Sequence, residues 1–124
     1  MPDLLAHRQQ ADHNRAATDY LRLAGDEHLD WVATVTFYTA LHIIDQALAH
    51  RVRLHPANHR ERRLAIQRDP MLRPVFSDYA ELEHQSRRAR YECVRFNSTE
   101  ISALQSRLDR IERHVMALLP PPAP

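Results

Sequence analysis

Leu29-Asp30-Trp31-Val32-Ala33-Thr34-Val35-Thr36-Phe37-Tyr38-Thr39-Ala40-Leu41-His42-Ile43-Ile44-Asp45-Gln46-Ala47-Leu48 decides the fold. Wound at about 3.6 residues per turn, its apolar side chains Leu29, Trp31, Val32, Val35, Phe37, Ala40, Leu41, Ile43, Ile44, Ala47 and Leu48 cover most of the helix circumference. Such a rod belongs in the middle of a bundle. The segment is expected to be helical from Asp26, acting as its cap, to about His50. Gly25 is the only glycine of the 124 residues, and the internal prolines Pro56, Pro70 and Pro74 fall in two short clusters. Between them lie long stretches rich in Ala, Leu, Arg and Glu, a composition that reads as all-α.

The flanking elements follow from their punctuation. A first helix is expected from about Leu4 to Ala24, closed by Gly25, the residue type best suited to a left-handed cap. A short basic helix spans about Ala57 to Arg68, with Pro56 just before its start and Asp69-Pro70 at its end. From Met71 to about Arg95 the series Leu72, Val75, Tyr79, Leu82, Ser86, Ala89, Cys93 keeps a helical period, with a kink or restart near Pro74 and Ser77-Asp78. Asn97-Ser98-Thr99-Glu100 has the form of a capping box and opens a last helix to about Leu119, packed through Ile101, Leu104, Leu108, Ile111 and Val115. One domain over residues 1–119 results, with four main helices plus a short basic one, and residues 120–124 are expected as a disordered Pro-rich tail.

Charge and cysteine usage narrow the classes of function. Cys93 stands alone, so neither an internal disulfide nor a cysteine-based zinc site can form. The start Met1-Pro2-Asp3 and the charges that interrupt every apolar run predict no membrane span and no signal peptide, hence a cytoplasmic protein. All 17 basic side chains are arginine. The stretch Arg51–Arg95 carries 11 arginines against 6 acids, a net +5, while the rest of the chain is at −4. An anionic partner would bind the basic part.

On the central helix Thr34, Tyr38, His42 and Asp45 share an arc of about 80 degrees. Tyr38 and Asp45 are four and three residues from His42, spacings at which side chains meet, so Asp45 is expected to orient the imidazole as a general base. Phe37-Tyr38-Thr39-Ala40-Leu41-His42 and the later Ser86-Arg87-Arg88-Ala89-Arg90-Tyr91 resemble the HEPN family (higher eukaryotes and prokaryotes nucleotide-binding), whose helices read roughly Arg-x-Tyr-Tyr-Ala-Ala-Tyr-His and Arg-x-x-Ala-Asp-Tyr. The resemblance covers about Asp26 to Phe96. It implies an HEPN-like helical bundle, homodimeric, acting on RNA as a metal-independent ribonuclease or as a toxin-type component of a toxin-antitoxin pair. In that chemistry a histidine takes the proton of the 2′-hydroxyl and an arginine holds the charge developing on phosphorus, with no cofactor and no metal.

The chain departs from the family pattern at Val35, where an arginine is expected, at Ser86 in place of arginine, and at Arg90 in place of aspartate. Other Arg–His pairs at the family spacing, such as Arg53 with His59, are as numerous as chance supplies. The cation is therefore expected from elsewhere in the fold, with Arg90 the candidate; its competing role is an ion pair with Asp45. The candidate catalytic set is His42, Arg90, Asp45 and Tyr38, and the candidate nucleic-acid contacts are Arg60, Arg62, Arg63, Arg87 and Arg88. The alternative is a non-catalytic scaffold for a nucleotide or for a partner protein such as a nucleotidyltransferase-like antitoxin. A third class, a hydrolase of the DinB type with three metal-binding histidines, would need His55 and His59 to converge with His50 or His28. Trp31 and Phe76 read as core rather than base-stacking residues.

Overall fold

A computed structural model of the chain describes residues 3–121. Five α-helices and no strand are present among them: α1 Leu4–Arg22, α2 Leu29–Val52, α3 His59–Arg68, α4 Phe76–Tyr91 and α5 Ser98–Met116. The all-helical expectation holds, with four main helices and a short basic one. No helix of the described residues is long and apolar enough to cross a membrane.

Local chemistry sets most helix ends. Asp3 caps α1 by accepting from the backbone N–H of Ala6, and Asn58 caps α3 by accepting from that of Glu61. At α5 the capping box forms as read, Asn97 accepting from Glu100 N–H while the Glu100 carboxylate accepts from Asn97 N–H. Pro74 does interrupt the fourth pattern. Arg73–Val75 is a single 3₁₀ turn, and α4 begins only at Phe76. Two expectations need correction: Gly25 is left-handed at φ 72° but lies in the turn beyond α1, and Asp26 does not cap α2, whose first residue follows His28 without any side-chain cap. The other end of α2 is closed by Arg53 in the left-handed region, with Leu54 N–H donating back to the Leu48 carbonyl.

α2 is the central rod. Val32, Phe37, Ala40, Ile43, Ile44, Ala47 and Leu48 are buried along it, against α1, α4 and α5. Leu104, Leu108, Ile111 and Val115 of α5 and Tyr79 and Leu82 of α4 complete the core. Arginines bind the outer helices to one another: Arg8 and Arg15 of α1 reach Glu112 of α5, and Arg107 and Arg110 of α5 converge on Asp78 of α4. Trp31 departs from its expected place, standing 56% exposed, while Phe76 is half-buried against the core. Trp31 sits in the first turn of α2.

Candidate functional site

Between Val32 and Leu48, only Val35, Tyr38 and His42 escape full burial. The first two turns of this strip are spaced by intramolecular hydrogen bonds that turn the threonines inward, Thr34 to the Asp30 carbonyl and Thr39 to that of Val35. Polar groups from three other helices gather on the strip. Each takes a different residue of α2.

His42 faces α1. Its Nδ1 lies 3.2 Å from Nδ1 of His7, which is itself buried. Two neutral imidazoles can satisfy this contact only when one ring carries its proton on Nδ1 and the other on Nε2. Burial holds both His42 and His7 below the ordinary value of 6.5; for His42 the neighbouring His7 adds to the effect, and for His7 the more distant Asp45 partly opposes it. Asp45 does not orient the imidazole. The two residues are about 60 degrees apart around the helix, enough for His42 to meet α1 while Asp45 meets α3. There Asp45 accepts two hydrogen bonds from Arg62, from Nε at 2.7 Å and Nη2 at 3.1 Å, with the side chains only 9% and 8% exposed. Arg62 is thereby removed from the candidate nucleic-acid contacts, since a buried, fork-paired guanidinium cannot reach phosphate.

Arg90 approaches neither His42 nor Asp45. Its Nη1 donates to the Tyr38 hydroxyl, and its guanidinium lies 5.5 Å from the Tyr38 ring centre and 5.2 Å from that of exposed Tyr91. Arg90 shares one face of α4 with Tyr79, Glu83 and Ser86, all buried. Glu83 accepts from Arg63 of α3 at 2.7 Å and lies 3.9 Å from Nδ1 of His59. Several buried polar atoms on this seam have no hydrogen-bond partner: Tyr79 Oη, Ser86 Oγ, His59 Nδ1 and Arg90 Nε. Burial pushes the Tyr79 hydroxyl far above its ordinary range, so it stays protonated. Of the remaining expected contacts, Arg60 and Arg87 are exposed, and Arg88 donates to Gln85 of its own helix.

His7 and Glu83 do not stand out in the sequence, although each had a signal. His7 begins the stripe His7, Ala11, Thr18 that α1 buries, and Glu83 interrupts the series Tyr79, Leu82, Ser86 on α4. No group of three or more histidine, cysteine or acidic side chains is placed to hold a metal ion among the described residues. A groove of about 490 Å³ lies elsewhere, between the end of α2 and α3, lined by Val52, Leu54, Pro56 and Leu64 above the Arg51–Asp69 ion pair. Against protein-family models, characterised proteins and solved structures the chain matches nothing.

Two outcomes are expected. Removing one member of a buried ion pair strands the other, so Asp45→Ala should cost about 3–5 kcal/mol in urea unfolding, and the pairwise apolar replacement Asp45→Leu with Arg62→Met much less. A cost below that of an ordinary surface substitution would contradict the buried pairing. Separately, His7, His42 and His59 are all held below 6.5 by burial, so the folded chain binds fewer protons than the unfolded chain between the lowered values and 6.5. Stability is then complete above 6.5 and is lost as the pH falls through the folded-state values. The melting temperature should drop on acidification across that window, and His42→Gln should weaken the drop; a flat profile would refute the couple.

Proposed function

We propose that this chain is an RNA-directed protein of HEPN-like type, holding phosphates along the surface where α3 meets α4, with metal-independent phosphodiester cleavage as its reaction class. The observation that carries the reading is the imbalance of charge on that seam. Arg63 of α3 pairs with the buried carboxylate of Glu83 and His59 lies 3.9 Å from it, Arg90 of α4 is held against Tyr38, and Arg60 of α3 and Arg87 of α4 are exposed. A surface with more guanidinium groups than acids attracts a polyanion. Tyr91 and Arg90 add a stacked pair to which an unpaired base can add a third layer, a contact that single-stranded nucleic acid offers and duplex does not.

A second reading, a scaffold that takes a partner protein, is favoured by one observation. Tyr20, Leu23, Trp31 and Tyr91 are exposed at the end of the bundle where the α1–α2 turn lies beside the residues following α4. Both readings accept the same fold and differ in salt dependence. Binding of a single-stranded RNA oligonucleotide should weaken as salt rises, the logarithmic slope being about −0.7 per phosphate neutralised. Arg60→Ala and Arg87→Ala should each flatten that slope by about one such contact without changing sequence preference. Affinity indifferent to salt and to both variants would return the chain to the scaffold reading.

A further inference from the structure

The end of the bundle where α1 turns into α2 keeps its apolar surface uncovered. Leu23, Tyr20 and Tyr91 are the most exposed large apolar side chains among the described residues, at 83%, 76% and 74%, and Trp31 stands exposed with them. Contiguous apolar surface left in water marks a place where another molecule sits. The charges at this end are also unpaired. Of the 16 acidic side chains, those that neither accept a hydrogen bond nor enter an ion pair among the described residues are Asp19, Asp26, Glu27, Asp30 and Glu92. Asp19 is in the last turn of α1, Asp26 and Glu27 are in the turn after it, Asp30 is in the first turn of α2, and Glu92 follows α4. Elsewhere in the molecule arginines, amides or backbone N–H groups meet the acids; here they are left free.

A cleft of about 260 Å³ opens between the α1–α2 turn and the residues that follow α4. Leu29, Ala89 and Phe96 give it an apolar lining, while Asp26, Glu27 and Asp30 line it with carboxylates against the single guanidinium of Arg95. Its volume and its lining together describe what it can hold. Small-molecule pockets begin near about 300 Å³, so the cleft suits one side chain of a larger partner better than a whole ligand. A long cationic side chain satisfies both parts of the lining, its aliphatic stem against the apolar residues and its charged head among the acids.

We propose that this end of the bundle docks a basic, apolar-rich segment of a partner protein, one arginine or lysine side chain entering the cleft and apolar neighbours resting on Trp31, Tyr20 and Leu23. The inference takes up the scaffold reading and gives its partner a chemistry. Residues 19–31 and 91–95 hold five acids against two arginines, a net −3, which repels nucleic acid and an anionic membrane surface alike. A second copy is disfavoured on the same ground. A two-fold contact sets the same patch against itself, so it would bring these acids face to face. The apolar side chains provide area, and the carboxylates select a partner of opposite charge. Faces of Trp31 and Tyr20 that stand in water can also receive a cation directly.

The test measures fluorescence anisotropy of three short mixed-sequence peptide pools titrated with the full chain. The first pool is built from Arg, Leu, Tyr and Gly; the second has Glu in place of Arg; the third has Ser in place of Leu and Tyr. Wild type should bind the first pool well above the other two, and added salt should weaken that binding without abolishing it. Trp31→Ala, and Asp26→Asn combined with Glu27→Gln, should each lower affinity by about tenfold or more, the loss usual at an interface anchor. Leu5→Ala, which removes an exposed apolar side chain near the start of α1, should leave it unchanged. All the substituted residues are exposed, so unaltered melting temperatures should show that the variants are folded. Equal binding of the first two pools, or folded variants that bind as wild type does, overturns the charge-selective docking and leaves a scaffold of some other specificity. Failure to bind any pool removes the scaffold reading together with the inference. Self-association in sedimentation that the same variants abolish would make a second copy the occupant and overturn the proposal.

Discussion

The Asp45–Arg62 ion pair is the contact on which the arrangement of the seam depends. α3 has ten residues, too few to be a stable helix alone, and it buries only Arg62, Ala65 and Ile66. Its position is set by three arginine–carboxylate contacts instead: Arg62 with Asp45 on α2, Arg63 with Glu83 on α4, and Arg51 of α2 with Asp69 at its C-terminal end. Of these the first is the most deeply buried. Desolvating both ions offsets much of their attraction, so the pair contributes little net stability and a great deal of positional definition, since any displacement of α3 would leave two unpaired charges inside the protein. Apolar packing alone would allow α3 to slide.

That positioning divides the polar residues of the strip into two groups. Toward α1, His42 and His7 form a neutral couple that joins two helices and has no carboxylate in contact. Toward α3 and α4, Arg63 pairs with Glu83 beside His59, and Arg90 donates to Tyr38. Of the buried side-chain atoms without a partner among the described residues, those of Tyr79, Ser86, His59 and Arg90 belong to α3 and α4, and those of Gln46 and His55 to α2 and the turn after it. Buried polar atoms without partners are costly, and they recur where a protein keeps groups available for a ligand. α2 supplies the floor of the α3–α4 seam through Phe37 and Tyr38.

Much of the architecture was legible because it depends on local rules. The apolar circumference of α2, the capping box at Asn97 and Glu100 and the break at Pro74 each act within a few residues, and each is found where the sequence places it. Trp31 was misread for a physical reason: when a helix is apolar on nearly every side, periodicity no longer tells which side lacks a neighbour, and the first turns of a rod are the least covered. The site was legible only in part. Tyr38, His42 and Asp45 do share a face, yet side chains three residues apart can meet different helices, and Asp45 was taken by an arginine seventeen positions away. Pairings across helices, Arg62 with Asp45 and Arg63 with Glu83 above all, leave no mark in a single sequence because neither partner constrains the residues beside the other.

The most direct test of this central dependence is amide hydrogen exchange, residue by residue, on the wild type and on Asp45→Asn at neutral pH. If the buried pair holds α3 in place, the substitution should remove protection from Arg62 through Arg68 while α2, α4 and α5 keep theirs. Unchanged protection across α3 would mean that the helix is held by something other than this pair.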